Sequence, residues 1–219
     1  MKQQTQHTTS LPDGWRWEKL GEICTMNPTK PKDFKRQANI PTSFIPMEAI
    51  DEKIGVAKPV TKPYSAVARG YTFFAENDVL FAKITPCMQN GKSAIVRGLT
   101  DGIGFGSTEF HVLRAKEDIL PEWIFHFLRN PEFRRLAEQQ FDGSAGQQRV
   151  PNDIMYNALV PLPPTLEEQR SIAERISARL AEAERVRHAA ERQYEAAKAL
   201  AGAIVREAFP FHHDISEQR

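Results

Sequence analysis

Residues 161–209, PLPPTLEEQRSIAERISARLAEAERVRHAAERQYEAAKALAGAIVREAF, decide the fold predicted for this chain. The stretch opens with three prolines, which cannot lie inside a helix, and continues with Ala, Glu, Arg and Leu and no further proline. Thr165 can cap a helix, and Glu168 can act as its capping-box partner three residues later. The pattern predicts one long helical segment over residues 163–209.

Apolar residues recur along this segment at heptad spacing when Ala173 is placed at position a. The a and d positions are Ala173, Ile176, Leu180, Ala183, Arg187, Ala190, Tyr194, Ala197, Ala201, Ile204 and Ala208. All except Arg187 are apolar or aromatic, which is typical of a coiled-coil seam. A helix lying on its own domain would show a similar stripe. Length favours the coiled coil, because about 43 helical residues extend roughly 65 Å, whereas a domain of about 150 residues has a radius of gyration near 15 Å.

One such helix per chain makes a second copy the simplest partner, joined through an isologous two-fold contact. The residues predicted to form the dimer are Ala173, Ile176, Leu180, Ala183, Ala190, Tyr194, Ala197, Ala201 and Ile204. Alanines permit close approach but each buries little area, so the pair should be regular and not very tight. Eight acidic and eight basic residues between Leu166 and Phe209 cancel, so the helix is not expected to bind nucleic acid.

Residues 11–162 predict a sheet-rich α+β domain. Short apolar runs such as DVLFAKI (78–84) and EFHVLRA (109–115) are punctuated by Gly, Pro and Asn, as strands are. Residues 120–141 have helical spacing that is interrupted at Pro131. Residues 1–10 are expected to be a disordered tail, and 210–219 form a second tail.

Composition excludes several classes of protein. The chain has 219 residues, of which 41% are hydrophobic, enough for a core. Cys24 and Cys87 are far apart, which fits a reducing compartment and gives neither a disulfide framework nor a zinc site. No stretch approaches the roughly 18 apolar residues of a membrane span. We expect a cytoplasmic protein with no membrane partner and no cofactor.

The segment Gly91-Lys92-Ser93 resembles the end of a phosphate-binding loop. The first glycine of that motif is replaced by Pro86, and the following residues are typical of a strand where a helix is required. The interpretation is a hairpin with Asn90-Gly91 in its turn. An enzyme using Cys87 or His111 stays as an alternative, although a strand histidine is more often structural.

Positive charge is local. Between Lys30 and Arg97 there are eleven basic and six acidic residues. A local basic excess with Gly- and Asn-rich loops is typical of a DNA-docking face, since cations hold phosphates and amides read base edges. A solvated protein surface gives the same count.

Several segments, in order, resemble the DNA specificity subunit of type I restriction-modification systems. They are Leu11–Trp15, Lys19–Ile23, Asp78–Lys92, Gly106–Phe110, Gly143–Val150 and Pro161–Pro164, with Glu168, Gln169, Ile172 and Ala173 on the helix. The resemblance implies a target-recognition domain followed by a long helix, with no active site of its own. DNA methyltransferase (modification) subunits and restriction subunits that dock on it supply methyl transfer and cleavage.

The chain departs from that family's usual pattern in size. Ordinary members carry two recognition domains and two helices that pair antiparallel, whereas this chain resembles one half. It is either a natural half-subunit that homodimerises or a piece of a longer one. A symmetric pair would read a split, inverted-repeat target in double-stranded DNA, with the helix setting the spacer. The alternative is an assembly scaffold or inhibitor that pairs with another specificity subunit and has no DNA binding of its own.

The polar residues of these segments are the predicted DNA contacts. They are Lys83, Thr85, Gln89, Asn90 and Lys92 around the hairpin, Ser107 and Thr108, and Gln147, Gln148 and Arg149 before the helix. Lysines would hold phosphates, while Gln and Asn could pair with adenine. Residues that define a family can equally shape its fold, and Asn90 can serve simply as the turn residue.

Overall fold

A computed structural model describes residues 10–142 and 148–209 of the chain. It divides into two compact units, residues 1–173 and residues 174–219. The two predicted tails, apart from Ser10, lie outside the described residues, as does Gln147.

In the part of the first unit that the structure describes, the strands form two four-stranded sheets and two short two-stranded ribbons. The inner sheet has the order β2 (Cys24–Met26), β11 (Phe110–Ala115), β8 (Val79–Ala82) and β9 (Ser93–Ile95), all antiparallel. The outer sheet has the order β6 (Val60–Pro63), β3 (Pro41–Ile45), β10 (Ile103–Gly106) and β7 (Thr72–Ala75), in which β3 and β10 are parallel. The ribbons pair β1 (Arg16–Lys19) with β12 (Leu159–Leu162), and β4 (Ile50–Asp51) with β5 (Val56–Ala57).

Strand alternation places successive side chains in different cores. On β8, Leu80 packs with Ile45 and Phe74 of the outer sheet, between the two sheets. Its neighbours Val79 and Phe81 face the opposite way and pack with the helices. Because side chains alternate along a strand, one apolar run supplies both layers. This explains why VLFA shows no polar alternation, since all four residues are buried.

The described residues of the first unit also form five short α-helices: α1 (Leu20–Ile23), α2 (Tyr64–Val67), α3 (Pro121–Arg129), α4 (Pro131–Glu138) and α5 (Asn152–Asn157). The predicted interruption at Pro131 is confirmed. Asn130 is extended there, and its side chain accepts a hydrogen bond of 2.8 Å from the Glu132 amide, which caps α4.

The predicted hairpin is confirmed, but its turn is not the expected two-residue one. Strands β8 and β9 pair antiparallel, with Phe81 opposite Ser93, and a ten-residue loop, Lys83–Lys92, joins them. Only Gly91 of the Asn90-Gly91 pair has a positive φ, of 73°, whereas a tight type I′ turn needs both. Within the loop, the amides of Met88 and Asn90 donate to carbonyls four residues earlier, as in a helical turn.

The predicted long helix is confirmed as α6, Leu166–Ala208. Thr165 caps it by accepting a 3.1 Å hydrogen bond from the Glu168 amide. The Glu168 carboxylate does not close the expected capping box; it accepts from the Trp15 indole at 2.9 Å. The buried Gln169 amide donates to the Asp118 carbonyl and accepts from the Leu120 amide, so side chains of the first unit hold the start of α6.

The predicted seam residues differ in exposure. Ala173 is 3% exposed and already packs within the first unit. In the second unit, Leu180 is 52%, Tyr194 67% and Ile204 58% exposed. These large apolar side chains therefore remain more than half exposed within the described part of one chain.

Candidate nucleic-acid interface

Three segments that are distant in sequence meet at one end of the inner sheet. Lys83 follows β8 and Glu109 precedes β11, and the Lys83 amide donates to the Glu109 carbonyl at 2.9 Å, which extends the β8–β11 ladder. The Val150 amide in turn donates to the Lys83 carbonyl at 2.9 Å. Predicted contact residues from the hairpin, the 107–109 turn and the stretch before α5 are thereby brought together.

Asp142 and Arg149 pair through their backbones on either side of residues 143–147, which lie outside the described residues. Each donates its amide to the other's carbonyl, at 3.0 and 2.9 Å. The neighbouring Gln148 carbonyl accepts from the Thr85 amide at 3.0 Å. Asp142, Gln148 and Arg149 are therefore held to one another and to the start of the Lys83–Lys92 loop.

The Arg149 side chain cross-links the cluster. Its guanidinium makes a two-point contact with the Glu109 carboxylate, with Nε–Oε2 and Nη2–Oε1 distances of 2.8 and 2.7 Å. Hydrogen bonding from Arg149 holds the pKa of Glu109 below its usual value. Because two-point guanidinium–carboxylate pairs are geometrically specific, this contact orients the Asp142–Arg149 backbone pair against the 107–109 turn. The prediction that Arg149 contacts DNA stays a prediction.

The 107–109 turn crosses from the outer sheet to the inner sheet. Ser107 Oγ accepts a 3.2 Å hydrogen bond from the Glu109 amide, so this side chain stabilises the turn. Thr108 between them is exposed. The structure therefore leaves Thr108 free to face solvent while Ser107 has a local structural role.

The other predicted hairpin residues lie apart from this cluster. The Gln89 side-chain amide donates to Glu138 of α4, and the Gln89 backbone carbonyl accepts from Arg134. Asn90 Nδ2 donates to Glu52 at 3.3 Å. Lys92 pairs through its backbone with Ala82 at the foot of the loop. The structure thus brings together six of the predicted residues, Lys83, Thr85, Ser107, Thr108, Gln148 and Arg149, and separates Gln89 and Asn90 from them.

Several basic residues between Lys30 and Arg97 contact other side chains of the first unit. Lys30 Nζ donates to the Tyr64 hydroxyl at 3.0 Å, and Lys62 Nζ lies 4.1 Å from the centroid of the Phe44 ring. Arg36 pairs with Asp101 at 2.8 Å. Part of the basic excess therefore stabilises the outer sheet.

An open cleft of about 380 Å³ lies against the cluster, lined by Lys83, His111, Asp142, Arg149 and Asn152 among others. His111 is 2% exposed, and its Nε2 lies 2.9 Å from the Val150 carbonyl. Because a carbonyl only accepts, Nε2 carries the proton. Burial lowers the pKa of His111 to about 4, so the imidazole is neutral at pH 7.

Sequence reasoning missed Asp142, Asn152 and Asn27 as members of this site. Asn27 has a φ of 48°; its side chain donates to Asn152 at 3.1 Å and accepts from the Val112 amide at 3.0 Å. Asn adopts a positive φ more readily than most residues, but a following proline favours an extended conformation, so the Asn27-Pro28 pair does not signal this geometry. Contacts across more than one hundred residues leave no local signal.

Among residues 10–142 and 148–209, no group of three or more His, Cys, Asp or Glu side chains is placed to hold a metal ion. Within the same ranges, none of the helices combines the length and apolar character that crossing a bilayer requires.

Known proteins match the chain in sequence and in fold. The curated relatives include the type I restriction enzyme EcoAI and EcoEI specificity subunits of Escherichia coli, 42% and 38% identical over 164 residues. Each match covers 74% of this chain and 27% of the relative, so the chain spans about a quarter of the relatives' length.

Two solved structures are similar over nearly the whole chain. One, from work on complex assembly and conformational transition of the type I R-M system, has a TM-score of 0.78 and 29% identity over 96% of this chain and 53% of that one. The HsdS subunit from Thermoanaerobacter tengcongensis has a TM-score of 0.69 and 28% identity over 98% and 54%.

The family model for the type I restriction modification DNA specificity domain matches residues 12–188. That range contains the sheets, the three-segment cluster and the start of α6. The chain belongs to the type I restriction-modification DNA specificity family.

Proposed function

We propose that this chain is a non-catalytic DNA-recognition half-subunit of a type I restriction-modification enzyme, acting in the cytoplasm. Residues 11–162 read one half-site of double-stranded DNA. The helical segment 163–209 pairs with the same segment of a second copy. The dimer then reads a split, inverted-repeat target and docks DNA methyltransferase subunits and, where cleavage occurs, restriction subunits.

The observation that carries this proposal is the exposed seam of α6. Leu180, Tyr194 and Ile204 are each more than half exposed and repeat at coiled-coil positions. Large apolar side chains at regular spacing are stabilised when a second helix covers them. The same sequence in both copies makes the contact self-complementary.

The DNA-reading role is supported by the three-segment cluster. It gathers amide, hydroxyl and ammonium groups on loop ends that the inner sheet and the Glu109–Arg149 pair hold in place. Loops held by a rigid scaffold often carry binding residues, and polar side chains read bases through hydrogen bonds to their edges. The remaining predicted contacts, Gln89, Asn90, Lys92 and Gln147, belong to the proposal as secondary contacts.

The proposal that this chain docks on other subunits is supported by the roles of the similar proteins. The curated relatives are specificity subunits of restriction enzymes, and one similar structure comes from a study of type I complex assembly. We extend that role to this chain, with the helix pair as the shared scaffold.

The test is to map methylated sites in DNA from cells that carry this chain with a modification subunit. We expect a palindromic split site. Insertion of one heptad into α6 should lengthen the spacer by about 3 base pairs, since seven helical residues rise roughly 10 Å and a base pair about 3.4 Å. The half-sites should stay the same; altered half-sites would contradict a spacer role for the helix.

Light scattering combined with a DNA-binding titration distinguishes a DNA-recognition dimer from the alternative, an assembly scaffold or inhibitor. A recognition dimer has twice the mass of one chain and binds DNA with salt-sensitive affinity. A chain that pairs only with a different specificity subunit and shows negligible DNA affinity is a scaffold or inhibitor.

A further inference from the structure

The cleft beside the three-segment cluster carries both hydrogen-bond donors and acceptors. Lys83 supplies an ammonium group and Asp142 an exposed carboxylate. Asn152 uses its amide oxygen to accept from Asn27, which leaves its amide nitrogen as a donor. On the wall, Nδ1 of the buried His111 has no hydrogen-bond partner among the described residues. Since Nε2 carries the proton, Nδ1 is an acceptor.

Charge in the cleft is balanced. The Arg149 guanidinium is matched by Glu109, with which it makes its two-point contact. The remaining opposite charges are Lys83 and Asp142. A phosphate offers only acceptors and would meet the Asp142 carboxylate and the His111 lone pair. A neutral ligand that presents a donor beside an acceptor suits these groups better.

Among DNA bases, adenine has that arrangement in the major groove. Its N6 amino group donates and its N7 accepts, whereas guanine there presents only acceptors, cytosine a donor, and thymine an acceptor and a methyl group. We propose that the cleft receives the major-groove edge of one adenine in each half-site, with Asp142 accepting from N6 and Lys83 donating to N7. This inference rests on the proposed DNA-reading function and names the residues that set specificity at one position.

The roles of the neighbouring residues follow from their contacts. His111 is a positioning residue, since its Nε2–H holds the Val150 carbonyl beside the cleft. The Glu109–Arg149 pair fixes the segment that ends in Asp142 through the two Asp142–Arg149 backbone hydrogen bonds. Asp142 and Lys83 are the two groups that touch the base.

The experiment is a binding selection from a random double-stranded DNA pool with the full chain. It compares the wild type with Asp142→Ala and Lys83→Ala, and with Glu117→Ala and Lys116→Ala as exposed controls of the same charge. Circular dichroism checks that each variant is folded. The wild type and both controls should select a split, inverted-repeat site in which each half-site has a defined adenine. Asp142→Ala should lose the adenine preference at that single position by roughly 5- to 150-fold, the range expected for a good base contact, and keep the others.

Base analogues at the selected adenine separate the two contacts. Loss of the exocyclic amino group, in purine, should weaken wild-type binding and have no further effect on Asp142→Ala. Replacement of N7 by carbon, in 7-deazaadenine, should weaken wild-type binding and have no further effect on Lys83→Ala.

The outcomes distinguish this inference from the proposed function. A wild-type chain that selects no sequence overturns the DNA-reading function and the adenine contact with it. A selected sequence whose base preferences are unchanged in Asp142→Ala, or are weakened equally at all positions, overturns the adenine contact and leaves the DNA-reading function standing.

Discussion

Truncation of one seam residue, Leu180→Ala, tests the pairing of α6 directly. Leu180 is 52% exposed in the single chain, so about half of its side chain remains to be covered. Full burial of a leucine contributes about 1.5–3 kcal/mol, and covering half contributes about 0.8–1.6 kcal/mol. Alanine has at least the helix propensity of leucine, so the helix itself should not be weakened.

In a two-fold symmetric dimer, Leu180 of each copy lies in the seam, so this contribution is made twice. The dimer should lose about 1.6–3.2 kcal/mol, which raises its dissociation constant roughly 15- to 200-fold. Sedimentation equilibrium over nanomolar to micromolar protein measures that constant. Arg192→Ala, at an exposed position on the opposite side of the heptad, is the matched control and should leave it unchanged. Equal dissociation constants for Leu180→Ala and the wild type, or a mass of one chain for the wild type throughout, would refute the reasoning.

Four further expectations concern the first unit. Gln169→Ala removes two partly buried hydrogen bonds, to the Asp118 carbonyl and from the Leu120 amide, and should lower the free energy of unfolding by about 1–3 kcal/mol, measured by thermal unfolding against the exposed control Gln140→Ala. Folding lowers the pKa of His111 to about 4, so the unfolded chain takes up the proton at a higher pH than the folded chain does. The free energy of unfolding should therefore fall by about 2 kcal/mol from pH 7 to pH 5. Urea unfolding should show this pH dependence for the wild type and not for His111→Leu. Arg149→Glu alone should lower the free energy of unfolding, because it places two carboxylates together, and adding Glu109→Arg should restore most of it. If Arg149 acts by positioning, Arg149→Ala should leave the salt dependence of DNA binding unchanged, whereas loss of a phosphate contact lowers that slope by about 1.

The hairpin loop shows how far local patterns reach. The two strands beside it are apolar runs and pair as predicted. The strong Asn-Gly turn signal is overridden because the loop packs on α4, where Arg134 donates to the Gln89 carbonyl and Gln89 contacts Glu138. A turn preference acts within four residues, whereas this packing is available only once α4 lies beside the loop.

The long helix could be predicted because its causes are local: the proline boundary, the cap at Thr165 and heptad spacing all lie within the segment. The reading site could be predicted only as a list of polar residues. The sheet decides which of them meet, because it brings Lys83, Glu109 and Arg149 together. The last two residues are 40 positions apart in the sequence. Periodicity and caps are short-range properties that the chain carries with it. Proximity between distant segments exists only after both cores have formed, so the cleft, its balance of charges and its neutral histidine belong to the tertiary structure alone.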